Sequence, residues 1–185
     1  DSLRYQAQRL VAGVAGAHLS TFEQVRQVLF ELLPSVNEFG VRSVQFLGLL
    51  EKFVRGSSVD PGPESLWKGP SELVVRALRD RGIVEECSDN GQEDWCLAAL
   101  LQLMQAILAR FPGLKEQAGL ALVPYLFQDC LFALPDVGRV ADRLQPPKCK
   151  TDVCRGSAFQ LLVELARGTP ANFLLVTRLV WQQGL

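Results

Sequence analysis

The chain has one histidine, one methionine and two tyrosines in 185 residues, and neither charge is in surplus: 19 basic side chains stand against 20 acidic ones, net −1. Each shortage excludes something. Catalysis by a cysteine needs a base within reach and a third group to orient that base. The sole imidazole, His18, falls in a predicted inter-helix turn about 70 residues before the nearest cysteine. Nucleic-acid binding calls for a basic stripe that neutralises phosphates. The nearest approach to one, Arg76, Arg79 and Arg81, is diluted by Asp80, Glu85 and Glu86, and reads as a solvated helix face. No apolar run nears the roughly 18–20 residues of a membrane span; the richest, Cys96 to Leu108, is broken by Gln102 and Gln105. Asp1-Ser2-Leu3-Arg4 lacks the charged-then-apolar order of a signal peptide. Gly13-Val14-Ala15-Gly16 lacks the further glycine and the lysine of a phosphate-binding loop. Nucleic acid, membrane and cofactors are therefore not expected partners.

The cysteines, Cys87, Cys96, Cys130, Cys149 and Cys154, are odd in number and irregularly spaced. Secreted small domains carry even, regular sets, so these read as reduced thiols of the cytosol or nucleus. Neither Cys87/Cys96 nor Cys149/Cys154 has the Cys-x2-Cys spacing of a zinc knuckle, and packing thiols are the expectation. The acidic pairs Glu85-Glu86 and Glu93-Asp94 lie in polar, glycine-flanked sequence and read as solvated.

What is abundant is helical periodicity. Hydrophobic residues make up 48% of the chain, enough for a core in which roughly 70% of the unfolded surface is buried. Leu3, Leu10, Val11 and Val14 predict a first helix over about the first 16 residues. Ser20 and Glu23 have the form of a capping box ahead of Val25, Val28, Leu29, Leu32 and Leu33, with Pro34 as the stop. Val41, Val44, Leu47, Leu50, Phe53 and Val54 mark a third helix ending at Gly56. Residues 57–70, dense in Gly, Pro and Ser, predict a long loop, after which Ser71 is expected to cap a short helix to Gly82. Ile83 to Cys96 reads as a loop, with a hairpin around Asn90-Gly91 as the alternative. Trp95 to Phe111 is apolar on more than one face and predicts the central helix. Leu114 to Phe127 predicts another, kinked near Pro124, and Asp129 to Leu134 a short separate one. Residues 135–150 read as a second linker. Thr151 caps a helix to Ala166, and Thr169-Pro170 opens the last.

The expected fold is all-α: about eight helices in one domain spanning 1–185, arranged as an irregular armadillo/HEAT-like α-solenoid, with a compact helical bundle as the alternative. Because the pattern is helical at both ends, the chain is expected to be a segment of something larger.

One stretch is more specific. Cys130-Leu131-Phe132 is followed after the linker by Pro147-Lys148-Cys149-Lys150-Thr151, then Arg155, Ala158, Phe159, Leu161, Leu162 and Leu165, and finally Asn172. This order resembles the helical region preceding the catalytic domain of very large ubiquitin-specific proteases. The resemblance implies a non-catalytic scaffold segment that positions protein substrates, ubiquitin conjugates or ubiquitin itself. Neither the family's catalytic cysteine box nor its histidine box is present, so no catalytic residue carries over. Phe159, Leu162 and Leu165 have core spacing; Lys148, Lys150, Arg155 and Asn172 are the candidate binding residues, with a purely structural role in the linker and last helix pair as the alternative. A helical-repeat adaptor without a ubiquitin connection is the second reading of the chain, and a small helical enzyme using one cysteine the third.

Overall fold

The computed structural model describes residues 19–56, 62–79, 94–132 and 148–182, and among them every regular element is helical. The helix expected at the N-terminus, the Ile83 to Asn90 hairpin-or-loop and most of the 135–150 linker lie outside the described residues. Seven α-helices are described: α1 (Leu19–Glu31), α2 (Ser43–Gly56), α3 (Lys68–Arg79), α4 (Trp95–Arg110), α5 (Lys115–Tyr125), α6 (Asp152–Ala166) and α7 (Pro170–Gln182).

α4 is the centre of the molecule. Its residues from Cys96 to Leu101 are all buried, as are Leu103, Met104, Ala106, Ile107 and Leu108. An all-round apolar helix must be enclosed on several sides, and α4 packs against α2 on one flank, α6 on the other, and α3. Further contacts join alternate helices, α1 with α3, α3 with α5 and α5 with α7, and also the sequential pairs α5 with α6 and α6 with α7.

The segment 57–70 is less of a loop than its prolines suggest. Gly62 takes a left-handed φ of 75°, Glu64–Trp67 forms a 3-10 turn, and α3 starts at Lys68, which places Ser71 inside the helix and buried, not at its cap. The driving force is Trp67, which is fully buried, edge-on to Phe30 (centroids 5.9 Å apart) and stacked on Phe111 (4.7 Å). Burying so large an aromatic side chain against two other rings offsets part of the chain entropy that the ordered turn loses. The Glu64 carboxylate also accepts the Gly113 N–H at 2.9 Å, fastening the turn to the end of α4.

Two other expectations change. Residues 115–131 are one continuous rod, α5 running directly into a π-helical turn, Leu126–Leu131, rather than two helices. Pro124 leaves the Leu120 carbonyl without its helical donor, and Leu120 itself is on the solvent side, 68% exposed. The capping-box Ser20 lies one residue inside α1, and 3-10 backbone from Leu33 to Arg42 takes in both Pro34 and Val41. Val28 and Leu32 are exposed; the buried stripe of this region is Phe30, Leu33 and Val36.

Candidate functional site

The junction at the start of α6 gathers residues from three distant parts of the chain. Thr151 is the N-cap of α6, its Oγ1 accepting the Cys154 N–H at 3.2 Å, which satisfies one of the orphan donors of a helix start. The same hydroxyl donates to Asp94 Oδ1 at 2.6 Å, while Asp94 Oδ2 accepts the Thr151 N–H at 3.2 Å and the Lys150 N–H. Asp94 begins α4 yet makes no side-chain cap to its own helix; its carboxylate caps α6 instead. A negative charge at a helix N-terminus is favoured by the helix dipole. Asp94 is only 6% exposed, so the expectation of a solvated Glu93-Asp94 pair is corrected at Asp94.

Beneath this cap lie three buried, free thiols. The Cys149 and Cys154 sulfurs are 3.1 Å apart, and Cys130 is in hydrogen-bond contact with Cys149. The backbone fixes them: Lys148 and Cys149 donate their N–H groups to the Asp129 and Cys130 carbonyls, at 2.8 and 3.3 Å, using acceptors the π turn leaves open. The hydrogen bond with Cys149, followed by burial, raises the Cys130 thiol far above its ordinary value. For Cys149 the bond with Cys130 acts downward, but contact with Cys154 and burial outweigh it and the thiol is raised too. Tyr125, buried beside Cys130, is raised chiefly by desolvation. Cys130 and Cys149, so held, keep their protons at neutral pH.

Three of the four candidate binding residues meet at this junction. The Lys148 ammonium sits 4.7 Å above the Tyr125 ring, a cation–π contact. Lys150 is exposed, and its carbonyl accepts Arg155 Nη1 at 3.0 Å; Arg155 Nη2 reaches Asp152 Oδ1 at 2.6 Å. Asn172 is elsewhere and fully buried (0% exposed). Its amide Nδ2 donates to the Lys115 and Leu165 carbonyls at 2.8 and 3.0 Å, joining α7 to α5 and α6. Gly119 lies against it so closely that a Cβ there would stand 2.2 Å from the Asn172 amide. The neighbouring Lys115–Glu164 ion pair, 2.6 Å and largely buried, closes the same joint.

The sequence gives a local signal for Thr151 and none for Asp94 or Gly119, whose partners lie 57 and 53 residues away along the chain.

The outer face of the last two helices is apolar. Val153, Phe159 and Val163 on α6 and Phe173, Leu174 and Trp181 on α7 are all exposed, Trp181 by 84%. Phe159, expected in the core from its spacing, is 48% exposed; Leu162 and Leu165 are buried as expected. Among the described residues no single helix is long and apolar enough to cross a membrane.

The class of protein that the chain resembles is the large ubiquitin carboxyl-terminal hydrolases, in part of their length. It is 35% identical over 111 residues to ubiquitin carboxyl-terminal hydrolase 34 of Mus musculus and 34% identical over 111 residues to that of Homo sapiens, 60% of this chain in each case. It is 26% identical over 103 residues, half of the chain, to ubiquitin carboxyl-terminal hydrolase 24 of Mus musculus. The matches span only 3–4% of those relatives' own lengths. No family model and no solved structure matches the chain.

Proposed function

We propose that this chain is a non-catalytic α-solenoid segment of a large deubiquitinase, and that it holds protein substrates or ubiquitin conjugates for a protease domain encoded elsewhere in the same polypeptide. The observation that carries the reading is the similarity to ubiquitin carboxyl-terminal hydrolases 34 and 24, found in a chain whose single histidine lies far in sequence from every cysteine. The packing supports the solenoid form. Alternate helices stack in two rows, α2–α4–α6 and α1–α3–α5–α7, as in repeats that bury one another's faces. Exposed Phe159, Val163, Phe173, Leu174 and Trp181 supply an apolar docking face of the kind that marks protein contacts. Lys148, Lys150 and Arg155 add a basic rim at the start of α6, and Asn172 serves by holding α7 in place. The reduced, buried thiols suit the cytosol or nucleus.

Two measurements test this. The chain incubated with ubiquitin conjugates is expected to cleave none; cleavage abolished by a cysteine substitution would overturn the scaffold reading. Titrating isotope-labelled chain with ubiquitin chains is expected to shift α6 and α7 resonances, and Trp181→Glu to weaken the effect at least tenfold. Undisturbed spectra with every ubiquitin form would favour the ubiquitin-independent adaptor.

A further inference from the structure

We propose that Asp94, Cys149 and Cys154, joined by Cys130, form a structural site for one zinc-class divalent cation. The Asp94 carboxylate and the Cys149 and Cys154 sulfurs all lie within 4.8 Å of one another, and all three residues are buried. Cys130, itself buried, touches the Cys149 sulfur from the end of the π turn; it stands outside that 4.8 Å group, and its sulfur has to swing inward to become the fourth ligand. Thiolate and carboxylate donors in fours are what zinc takes in closed, tetrahedral structural sites. With Zn–S bonds of about 2.3 Å, two sulfurs on one ion stand roughly 3.8 Å apart. The Cys149–Cys154 pair at 3.1 Å therefore needs to open by only about 0.7 Å to admit the ion.

Asp94 is already oriented as a ligand carboxylate would be. Oδ2 holds the Lys150 and Thr151 N–H groups and Oδ1 holds the Thr151 hydroxyl. A carboxylate has about four lone-pair directions, so one on Oδ1 is left for a cation. Hydrogen bonds of this kind fix ligand carboxylates in metal sites and set their basicity. The sulfurs are equally constrained, because the backbone of Cys149 is bonded to Cys130 and that of Cys154 to the Thr151 cap. Capping accounts for Asp94 alone; it does not account for the Cys149 and Cys154 sulfurs meeting its carboxylate, with Cys130 against Cys149. The Lys148 ammonium, close enough to influence Cys130, offsets part of the negative charge of a thiolate-rich centre. Binding is a ligand exchange with no change of oxidation state: each thiol gives its proton to water as its metal–sulfur bond forms, and the carboxylate contributes a lone pair.

The test is made on the reduced, chelator-stripped chain with Co2+ as the spectroscopic probe and Zn2+ as competitor. The expected result is the intense visible band of tetrahedral cobalt with a sulfur-to-cobalt charge-transfer band, saturating at one ion per chain and erased by zinc. About three protons are released per ion, and zinc raises the melting temperature. Cys130→Ser is expected to release one proton fewer and to bind at least tenfold more weakly, and Cys149→Ser/Cys154→Ser to lose the charge-transfer band. A weak octahedral spectrum without charge transfer, in the folded unsubstituted chain, overturns the proposal whatever the variants do. So does a charge-transfer band that survives in the double variant.

Discussion

At the scale of single residues, two buried polar groups, Asp94 and Asn172, tie the C-terminal half together, each bonding at least one backbone group more than 50 residues away. Asp94 accepts from two N–H groups and one hydroxyl at the α6 start. Hydrogen bonds to a charged group are worth about 1.5–3 kcal/mol, and donors left buried without a partner add their desolvation penalty. Asp94→Ala is therefore expected to lower stability by about 3 kcal/mol, read as a fall in the urea midpoint at constant slope; a midpoint unchanged within error would show that the α6 cap does not depend on it. Asn172 and Gly119 are a matched pair, since the glycine leaves room for the amide. Gly119→Ala overpacks that joint and is expected to destabilise by roughly 1–3 kcal/mol. Combined with Asn172→Ala the two losses are expected to be clearly less than additive, because the second change removes the clash created by the first. Strict additivity in the double-mutant cycle would mean that the two side chains do not meet.

Among elements, α4 and α6 differ in how far periodicity predicts burial. α4 is enclosed on several sides, and Leu101 is fully buried. Leu101→Ala is expected to cost about 2–5 kcal/mol through lost transfer energy and the cavity left behind. Phe159→Ala on α6 removes a larger side chain, yet about half of it is already in water, and it is expected to cost about 1 kcal/mol or less. Equilibrium unfolding of the two variants side by side checks the ordering; a larger loss at Phe159 would place that residue in the core. The α5 rod shows a different balance. A proline sits in mid-helix where the residue whose carbonyl it orphans, Leu120, is on the solvent side, and the π turn that follows ends with the Phe132 N–H on the Phe127 carbonyl at 3.2 Å.

For the whole molecule, the thiol cluster couples stability to pH. Cys130 and Cys149 are raised above the ordinary thiol value of 9.0, so the folded chain keeps protons that the unfolded chain releases. Stability falls with pH wherever the unfolded state binds fewer protons. The contribution is thus complete below pH 9 and is lost progressively above it, at up to about 1.4 kcal/mol per pH unit for each group. Tyr125, raised from 10.0, extends the loss further upward. Urea midpoints of the chelator-stripped, metal-free chain in reducing buffer are expected to hold steady to about pH 8 and decline beyond about pH 9, with Cys130→Ala flattening the decline. A midpoint that rises across this range would contradict the burial of the thiols. On the same scale, the exposed apolar side chains of α6 and α7 are the surface proposed to meet a partner.

Features that depend on neighbours along the chain were legible from the sequence alone: an all-helical class, the all-round apolar α4, the Thr151 cap and Pro170 at the first turn of α7. These rest on periodicity, capping chemistry and fixed φ, which act within a few residues. Trp67 in a proline-rich stretch, the carboxylate of Asp94 beneath α6, the gap at Gly119 and the meeting of Cys130, Cys149 and Cys154 were decided only by tertiary structure. Each joins atoms far apart in sequence, and the free energy that selects such a contact comes from excluding water between surfaces that only the packed chain brings together.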